Sequence, residues 1–147
     1  MSNFKLRPAN SEDFPAIKKL IHQVQINPTG LDWHRFVVVV DESGRLLGCG
    51  QLKPHGKEII ELASIAVEPS DRNKGVARAV IDYLIIQAPR PLYLTCLSSM
   101  GGFYEKWGFQ SVKTDEMPLY FRRLVQLVKM LPSWRSHTDE LLVMKLM

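Results

Sequence analysis

An apolar stretch in the middle of the chain, residues 59–67 (IIELASIAV), limits the folds open to this sequence. Its branched and apolar side chains predict a strand that is buried on both faces, so it must lie inside a sheet. Glu61 interrupts the stretch. A carboxylate inside a sheet is costly unless it is paired or faces a wet cleft. We therefore expect Glu61 either at the rim of the sheet, in contact with water, or in a cleft where it would suit a general base.

Other short apolar segments, bounded by Gly, Pro, Asp and Ser, predict the remaining strands. The predicted strands are residues 4–7, 36–40, 45–53, 58–67, 91–97 and 140–147, with a weak strand at 109–113. Segments with apolar side chains at helical spacing lie between them, at residues 11–25, 75–87, 102–107 and 119–131. This order mixes hairpins with strand–helix–strand crossovers. We therefore predict an α/β (α+β) fold with a mixed, mostly antiparallel central sheet of six to seven strands flanked by helices.

The length of 147 residues predicts a single domain that covers residues 1–147. Hydrophobic residues at 46% and charged residues at 23% match globular proteins and exclude a disordered chain. No apolar run approaches the roughly 20 residues of a membrane span, and the first residues do not resemble a secretory signal. We therefore expect a cytoplasmic protein without a membrane partner. Cys49 and Cys96 lie in apolar stretches without metal-ligand spacing, so we expect buried reduced thiols.

The turn after the central strand leads into a helix at Gly75 and has the composition of an anion site. A helix N-terminus is electropositive and has backbone N–H groups without intrahelical acceptors, so it binds phosphate oxygens. Gly75 and Ala77 let the backbone approach a pyrophosphate closely, and Arg72, Lys74 and Arg78 add positive charge. The alternative is an ordinary strand–helix turn with charged surface residues.

A second candidate is Tyr104, in the aromatic segment 103–109 (FYEKWGF). Most of these aromatic side chains are expected in the core. The phenol of Tyr104 can instead lie at the C-terminal end of the preceding strand, where α/β sheets bind ligands.

Several catalytic motifs are absent from the sequence: GxxxxGK[ST], GxGxxG, GxSxG and HExxH. The four histidines show no ligand spacing, so no metal site is predicted. The absence of these motifs therefore gives no indication of a nucleoside triphosphatase, a dinucleotide-binding enzyme, a serine hydrolase or a zinc peptidase.

Two motifs resemble those of the GNAT superfamily of acetyl-CoA-dependent N-acetyltransferases. The R/Q-x-x-G-x-G/A signature is present at residues 72–77 (RNKGVA), after a strand and at the start of a helix. The segment FYEKWGF is similar to the family's tyrosine-bearing second motif, and the order of elements fits this fold along nearly the whole chain. The resemblance implies a GNAT-like fold. It also implies transfer of an acetyl group from acetyl-CoA, without a metal, to a primary amine in a ternary complex.

The resemblance further implies roles for single residues. Glu61 lies 14 residues before Gly75, where several relatives keep their general base, and Tyr104 would be the general acid that protonates the departing thiolate. Ser98 stands where many relatives have an asparagine that contacts the pantetheine. The other residues implied in cofactor binding are Ile65, Ala66 and Val67 along the pantetheine arm, and Arg72, Asn73, Lys74, Gly75, Val76, Ala77 and Arg78 around the pyrophosphate.

The excess of positive charge is local, because residues 117–138 contain no acidic side chain and four basic ones: Arg122, Arg123, Lys129 and Arg135. A solvated helix face explains this cluster, and a preference for an acidic acceptor is the alternative. We expect no nucleic-acid partner, since four clustered charges are few for tracking a phosphate backbone. In the GNAT fold, residues 27–35 and the connection 114–138 would set acceptor specificity, and neither identifies the amine-bearing acceptor.

Other functions remain as alternatives. Cys96 could accept the acyl group in a ping-pong scheme, although no His or Asp nearby in sequence activates it. A non-catalytic acyl-CoA-binding sensor or partner-binding module would keep the cofactor site without the transfer. The final strand, 140–147, is either covered within the chain or paired across a homodimer.

Overall fold

The computed structural model describes residues 3–131 and 139–147. It divides into two compact units, the first made of Met1–Pro54 and Leu62–Ala88, and the second of His55–Glu61 and Pro89–Met147. Strand β4 contributes to both units, since its first three residues belong to the second unit and the rest to the first.

The first unit is built on antiparallel strands covered by two helices. Asn10 caps a short 3-10 turn at Ser11–Asp13 in a capping box with Asp13, and the first helix follows from it. Strand β1 pairs antiparallel with β2, and β2 pairs antiparallel with β3. The elements of this unit are β1 (Phe4–Pro8), α1 (Phe14–Gln23), β2 (Phe36–Asp41), most of β3 (Leu46–His55), most of β4 (Ile59–Val67) and α2 (Val76–Gln87). One core cluster consists of Ile17, Leu20, Ile21, Phe36, Val38, Val40, Cys49 and Ala66.

The second unit begins at His55, the last residue of β3, and includes the first residues of β4. These pair in parallel with β5 through Ile60↔Leu92 and Glu61↔Tyr93. Strand β7 pairs antiparallel with both β5 and β6. The further elements of this unit are β5 (Leu92–Leu97), α3 (Gly101–Glu105), β6 (Gln110–Ser111), α4 (Leu119–Lys129) and β7 (Leu141–Leu146). Its core cluster consists of Val112, Met117, Phe121, Val125 and Val143, with Ile59, Tyr93, Leu124 and Leu141 packed against it.

The strands follow the order β1-β2-β3-β4-β5-β7-β6, so the predicted mixed sheet of six to seven strands with flanking helices is confirmed. Each predicted element is found, with bounds that differ by a few residues at most. The weak strand predicted at 109–113 shrinks to the two residues of β6. Strand β7 lies between β5 and β6, so the final strand is covered within the chain.

Two details differ from the expectations. Cys49 is fully buried as predicted, but Cys96 is only half-buried. Helix α4 ends at Lys129, two residues before the predicted end. Part of the basic segment 117–138, with Arg135, lies outside the described residues, as does part of the predicted specificity segment 114–138.

Candidate active site

The N-terminus of α2 has the backbone geometry expected of an anion site. Gly75 occupies the N-cap position with φ 85°, and Asn73 also lies in the left-handed region with φ 66°. No side chain caps the helix, so the first backbone N–H groups of α2 have no acceptor from a capping side chain. A Cβ at Gly75 would meet no atom within 4 Å, which leaves open space in front of this turn. The turn therefore fits a pyrophosphate, and Val76, Ala77 and the exposed Arg78 form the first turn of the helix behind it.

A buried carboxylate organises the charges beside this turn. Asp71 is 4% exposed and accepts from Lys74 Nζ and from Arg45 Nη2, each at 3.1 Å. The Lys74 ammonium, followed by Arg45 and the Ser70 hydroxyl, holds the pKa of Asp71 below its usual range. Lys74 is thus bound to Asp71, while the predicted Arg72 has an exposed side chain.

The same charged residues border a cavity of about 660 Å³ within the first unit. Its lining consists of Asn3, Phe4, Asp41, Arg45, Leu47, Asp71, Asn73 and Lys74.

Two glycines in β3 allow α2 to pack against the backbone of the sheet. A Cβ at Gly48 would lie 2.5 Å from Val76 Cγ1 and 2.9 Å from the carbonyl oxygen of Ala66. A Cβ at Gly50 would lie 2.6 Å from both Ile65 Cδ1 and Val80 Cγ1. These contacts fix the position of the helix that carries the candidate phosphate turn. Gly48 and Gly50 were not identified from the sequence, where only the unusual placement of two glycines inside an apolar strand points to them.

Strand β4 departs from regular geometry at Ser64, which has φ 59°. A non-glycine residue in this region is strained, so surrounding contacts must hold it there. Gln51, which is fully buried, donates from Nε2 to Ser64 Oγ at 2.9 Å and to the carbonyl of Gly30 at 3.3 Å. Arg35 Nε donates to Gln51 Oε1 at 3.2 Å. The network thus connects the loop before β2 to the irregular point of β4.

The three predicted pantetheine contacts follow this irregular point directly. Ile65 and Val67 are half-buried, and Ala66 is buried. Their placement on β4 agrees with the predicted strand, and their role toward the pantetheine stays a prediction.

Glu61 is buried, with 8% of the residue exposed, and it does not lie at a wet rim. Its Oε1 lies 2.6 Å from Nε2 of His55, at the end of β3. Its Oε2 accepts from the Thr95 hydroxyl at 3.4 Å. Both carboxylate oxygens therefore have a polar partner, which offsets the cost of burial.

An aromatic side chain from α4 covers the histidine. The Tyr120 ring stacks on the imidazole of His55 with a centroid distance of 3.9 Å and an interplanar angle of 21°. Phe121 meets the same imidazole edge-on at 6.0 Å. Partial burial, followed by the nearby charge of Glu61, raises the pKa of the Tyr120 phenol. His55, Thr95 and Tyr120 were not identified from the sequence, and only the short connection between the strands predicted at 45–53 and 58–67 placed residue 55 near residue 61.

Tyr104 lies in α3, among the aromatic side chains of its motif. Its ring contacts Phe103 at 5.1 Å and Phe109 at 6.2 Å between centroids. Burial, followed by the nearby Cys96, raises the pKa of the Tyr104 phenol to about 12. Burial also raises the pKa of the Cys96 thiol to about 11. Both groups therefore hold their protons at neutral pH, and Cys96 lacks the thiolate character of an activated nucleophile.

The hydroxyl of Ser98 is occupied by contacts within its own unit. It donates to Asp139 Oδ1 at 2.9 Å and accepts from the backbone N–H of Glu140 at 3.1 Å. Ser99 binds the same carboxylate. A hydroxyl has one proton and two lone pairs, so Ser98 keeps one acceptor position for another group.

The structure thus brings Glu61 together with His55 and Thr95 in the second unit, which also contains Tyr104 and Ser98. The candidate phosphate turn and Ile65, Ala66 and Val67 belong to the first unit. Within residues 3–131 and 139–147, no three His, Cys, Asp or Glu side chains are arranged to hold a metal ion. None of the described helices is long and apolar enough to cross a membrane.

Comparison with known proteins identifies the family. A family model described as "Acetyltransferase (GNAT) domain" matches residues 32–111, which is more than half of the chain. This match includes β2 to β6, and with them Glu61, the phosphate turn and Tyr104. No curated protein matches the sequence.

Solved structures of similar fold include several acetyltransferases. N-acetylglutamate synthase from Neisseria gonorrhoeae, complexed with coenzyme A and L-arginine, is 22% identical, with a TM-score of 0.73 over 97% of this chain and 33% of that one. A Mycobacterium tuberculosis protein in complex with CoA is 21% identical, with a TM-score of 0.72 over 97% of this chain and 99% of that one. Glucosamine-6-phosphate N-acetyltransferase from Arabidopsis thaliana is 20% identical, with a TM-score of 0.62 over 82% of this chain and 99% of that one.

The chain spans about one third of the length of the N. gonorrhoeae synthase. At these identities the structural matches show only a shared fold. The family model matches the amino-acid sequence itself. The family that the two motifs predicted is thus confirmed. This chain belongs to the GNAT family of acetyltransferases.

Proposed function

We propose that this chain transfers an acetyl group from acetyl-CoA to a primary amine by direct attack in a ternary complex. Glu61 is the general base and Tyr104 the general acid. The observation that carries the proposal is that one compact unit of a GNAT chain contains both a buried carboxylate with polar partners and a phenol that keeps its proton. These are the two proton-transfer groups that the reaction needs.

The base is required because the acceptor is protonated in solution. An alkylamine with a pKa near 10.4 is neutral in only about one molecule in 2,500 at pH 7. Glu61 takes the proton, directly or through a water molecule, and the free amine becomes nucleophilic. At the other end of the reaction, Tyr104 supplies a proton to the sulfur of the departing coenzyme. A pKa of about 12 keeps that phenol protonated throughout the physiological range.

Acetyl-CoA supplies the acetyl group in activated form, as a thioester. The uncapped N-terminus of α2 holds the pyrophosphate through the backbone N–H groups that follow Gly75, with positive charge from Arg72 and Arg78. Backbone groups of Ile65, Ala66 and Val67 line the pantetheine arm, and Ser98 offers it one hydrogen-bond position. The remaining residues assigned to the pyrophosphate are Asn73, Lys74, Val76 and Ala77.

An acceptor with a primary amine agrees with the names of the similar structures. They include an N-acetylglutamate synthase and a glucosamine-6-phosphate N-acetyltransferase, both of which are named for acetylation at nitrogen. We also propose that residues 1–147 act together as one acetyltransferase domain. The two free cysteines agree with a cytoplasmic location, since disulfides form in oxidising compartments. A homodimer stays a prediction.

Cofactor binding is tested first, by thermal unfolding with acetyl-CoA, coenzyme A, ATP and NAD in parallel. A ligand at 100 times its dissociation constant adds about 2.7 kcal/mol, which for a chain of this size raises Tm by roughly 5–10 °C. We expect this shift with the two coenzyme A species alone. An equal shift with ATP would indicate general phosphate binding, and no shift with acetyl-CoA would contradict the cofactor site.

Transfer is then tested by release of the coenzyme thiol with L-glutamate, L-lysine, spermidine and glucosamine 6-phosphate as acceptors. The informative variant is Glu61→Gln, which removes the base and keeps the shape of the side chain. We expect kcat to fall about 100-fold or more while the affinity for acetyl-CoA is unchanged. A non-catalytic acyl-CoA sensor would bind acetyl-CoA but release no thiol with any amine. Unchanged turnover in the variant would remove Glu61 from the mechanism.

A further inference from the structure

His55 makes a short polar contact with the carboxylate of Glu61. The two side chains meet across the turn between β3 and β4, with Nε2 and Oε1 2.6 Å apart and each side chain 10% exposed. An ionised carboxylate can only accept, so the imidazole nitrogen facing it must carry a proton. A donor to a charged acceptor at this distance makes one of the stronger hydrogen bonds found in proteins.

The imidazole is itself fixed from a second element. The Tyr120 ring stacks on the imidazole with 3.9 Å between the ring centroids. The Phe121 ring lies nearly perpendicular to the imidazole, with 6.0 Å between the centroids. Phe121 is fully buried in the core of the second unit, which fixes the first turns of α4. A ring that is stacked and edge-packed cannot change its χ angles without losing these contacts. The orientation of Glu61 therefore depends on the position of α4.

The carboxylate keeps capacity for the reacting amine. Its two oxygens offer about four lone-pair positions. His55 takes one position on Oε1, and the Thr95 hydroxyl makes a longer contact to Oε2 at 3.4 Å. The short contact is thus made by Oε1, and Oε2 is the oxygen with more acceptor capacity left for the amine.

From these contacts we infer that His55 is a positioning residue, which orients the Glu61 carboxylate for proton abstraction from the acceptor amine and is itself held by Tyr120. The inference rests on the proposed function, since it assigns a role relative to the base. His55 acts through its hydrogen bond and not as a second base. A residue at position 55 that donates a hydrogen bond to Glu61 should therefore restore turnover, whereas an aromatic ring without a donor should not.

The test compares His55→Gln with His55→Phe. Glutamine places an N–H donor near the position of Nε2, whereas phenylalanine keeps the ring that stacks on Tyr120 and removes the donor. The matched control is His22→Gln, on the exposed side of α1. The readouts are kcat and KM with the best of the four amines above, and the dissociation constant of acetyl-CoA.

We expect His55→Phe to lower kcat about 10- to 100-fold, which is the range for loss of a hydrogen bond to a charged group. The acetyl-CoA affinity stays unchanged. His55→Gln restores kcat to within about fivefold of wild type, and His22→Gln has no effect. Equal losses in both His55 variants, or no loss in His55→Phe, would overturn the positioning role while leaving acetyl transfer intact. If wild type releases no thiol with any of the four amines, the proposed function itself is contradicted, and the inference about His55 falls together with it. This outcome is seen before any variant is compared.

The second measurement does not depend on turnover. Long-range ¹H–¹⁵N spectra of the imidazoles report which nitrogen of His55 carries the proton. We expect a protonated Nε2 in wild type, with nitrogen shifts that change in Glu61→Gln but not in His22→Gln. A His55 spectrum that is identical in wild type and Glu61→Gln would show that the hydrogen bond is absent in solution, which overturns the inference.

Discussion

Val80 of helix α2 packs directly on the backbone of Gly50 in strand β3. A Cβ at Gly50 would lie 2.6 Å from Val80 Cγ1, 2.6 Å from Ile65 Cδ1 and 3.3 Å from Leu84 Cδ1. Val80 and Leu84 are buried in the core and Ile65 is half-buried, so a methyl group can be accommodated only by displacing these side chains or the elements that carry them. We expect Gly50→Ala to lower the free energy of unfolding by about 1–3 kcal/mol, as other overpacked cores do. Urea unfolding measures the change.

The matched control for this substitution is Gly102→Ala. Gly102 lies in α3, and a Cβ there would meet no atom within 4 Å. We expect its stability to match or exceed that of wild type by up to about 1 kcal/mol, since alanine favours a helix more than glycine does. Equal stability of Gly50→Ala and Gly102→Ala would mean that the helix does not pack this closely on β3 in solution.

The buried carboxylate of Asp71 predicts a stability difference that depends on pH. Lys74 and Arg45 hold its pKa below the usual 3.8 in the folded protein. The unfolded state therefore binds a proton more readily, and the ionised pair stabilises the fold above pH 3.8. That stabilisation is lost as the pH falls below 3.8 through the lower pKa of the folded state.

We expect Asp71→Asn to lower Tm at pH 7, with a difference from wild type that shrinks as the pH falls below about 4. Thermal unfolding by circular dichroism between pH 3 and pH 7 measures it. Glu42→Gln, in the exposed turn after β2, is the control and leaves Tm unchanged. A difference between Asp71→Asn and wild type that is the same at pH 3 and pH 7 would show that the charge of Asp71 contributes nothing.

The elements of this fold were predictable because their signals are local. The apolar stretch 59–67 predicted β4, and the glycine that follows it, with apolar side chains at helical spacing, predicted α2. Glu61 was identifiable because a carboxylate is rare within an apolar strand. Tyr104 was selected as a candidate through its aromatic motif, and its role stays a prediction. The structure adds that burial keeps its phenol protonated.

The partners of these residues were not predictable, since they depend on how distant segments meet. Nothing in the spacing of His55 shows that its ring faces Glu61 and not solvent. The contact with Tyr120 joins residues that are 65 positions apart in the chain. The turn at residues 72–78 was predicted as a cluster of positive charge, and only the structure shows that Asp71 binds Lys74 there. Periodicity also carries no information about the left-handed conformation of Ser64.

The raised pKa of the Cys96 thiol leads us to expect slow alkylation and no covalent intermediate at this residue. With a pKa of about 11, only about one part in 1,000 of the thiol is ionised at pH 8. We expect Cys96 to react with iodoacetamide much more slowly than a cysteine in a short peptide, as followed by mass spectrometry. Cys96→Ser should retain thiol release within about threefold of wild type. An acetyl group found on Cys96 after incubation with acetyl-CoA would instead support the ping-pong scheme.

Loss of the Tyr104 hydroxyl is predicted to slow turnover without weakening cofactor binding. A protonated phenol lowers the barrier for departure of the coenzyme sulfur. A thiol ionises near pH 8.5 in solution, so its thiolate is a fair leaving group even without a proton donor. We therefore expect Tyr104→Phe to lower kcat by only about 10- to 100-fold. Steady-state kinetics with the best amine measures kcat, and thermal shifts measure acetyl-CoA binding. Tyr83→Phe, on α2, is the control and leaves kcat unchanged.

The pH profile separates a proton donor from a packing residue. With a pKa of about 12, Tyr104 keeps its proton up to about pH 11 and loses it only above that. The ratio of wild-type to Tyr104→Phe kcat should therefore stay constant from pH 7 to pH 10. A ratio that falls toward one near pH 9 would place the ionisation of Tyr104 far below 12 and contradict its burial. Equal kcat values at every pH would remove Tyr104 from the reaction and leave its phenol a packing group of α3.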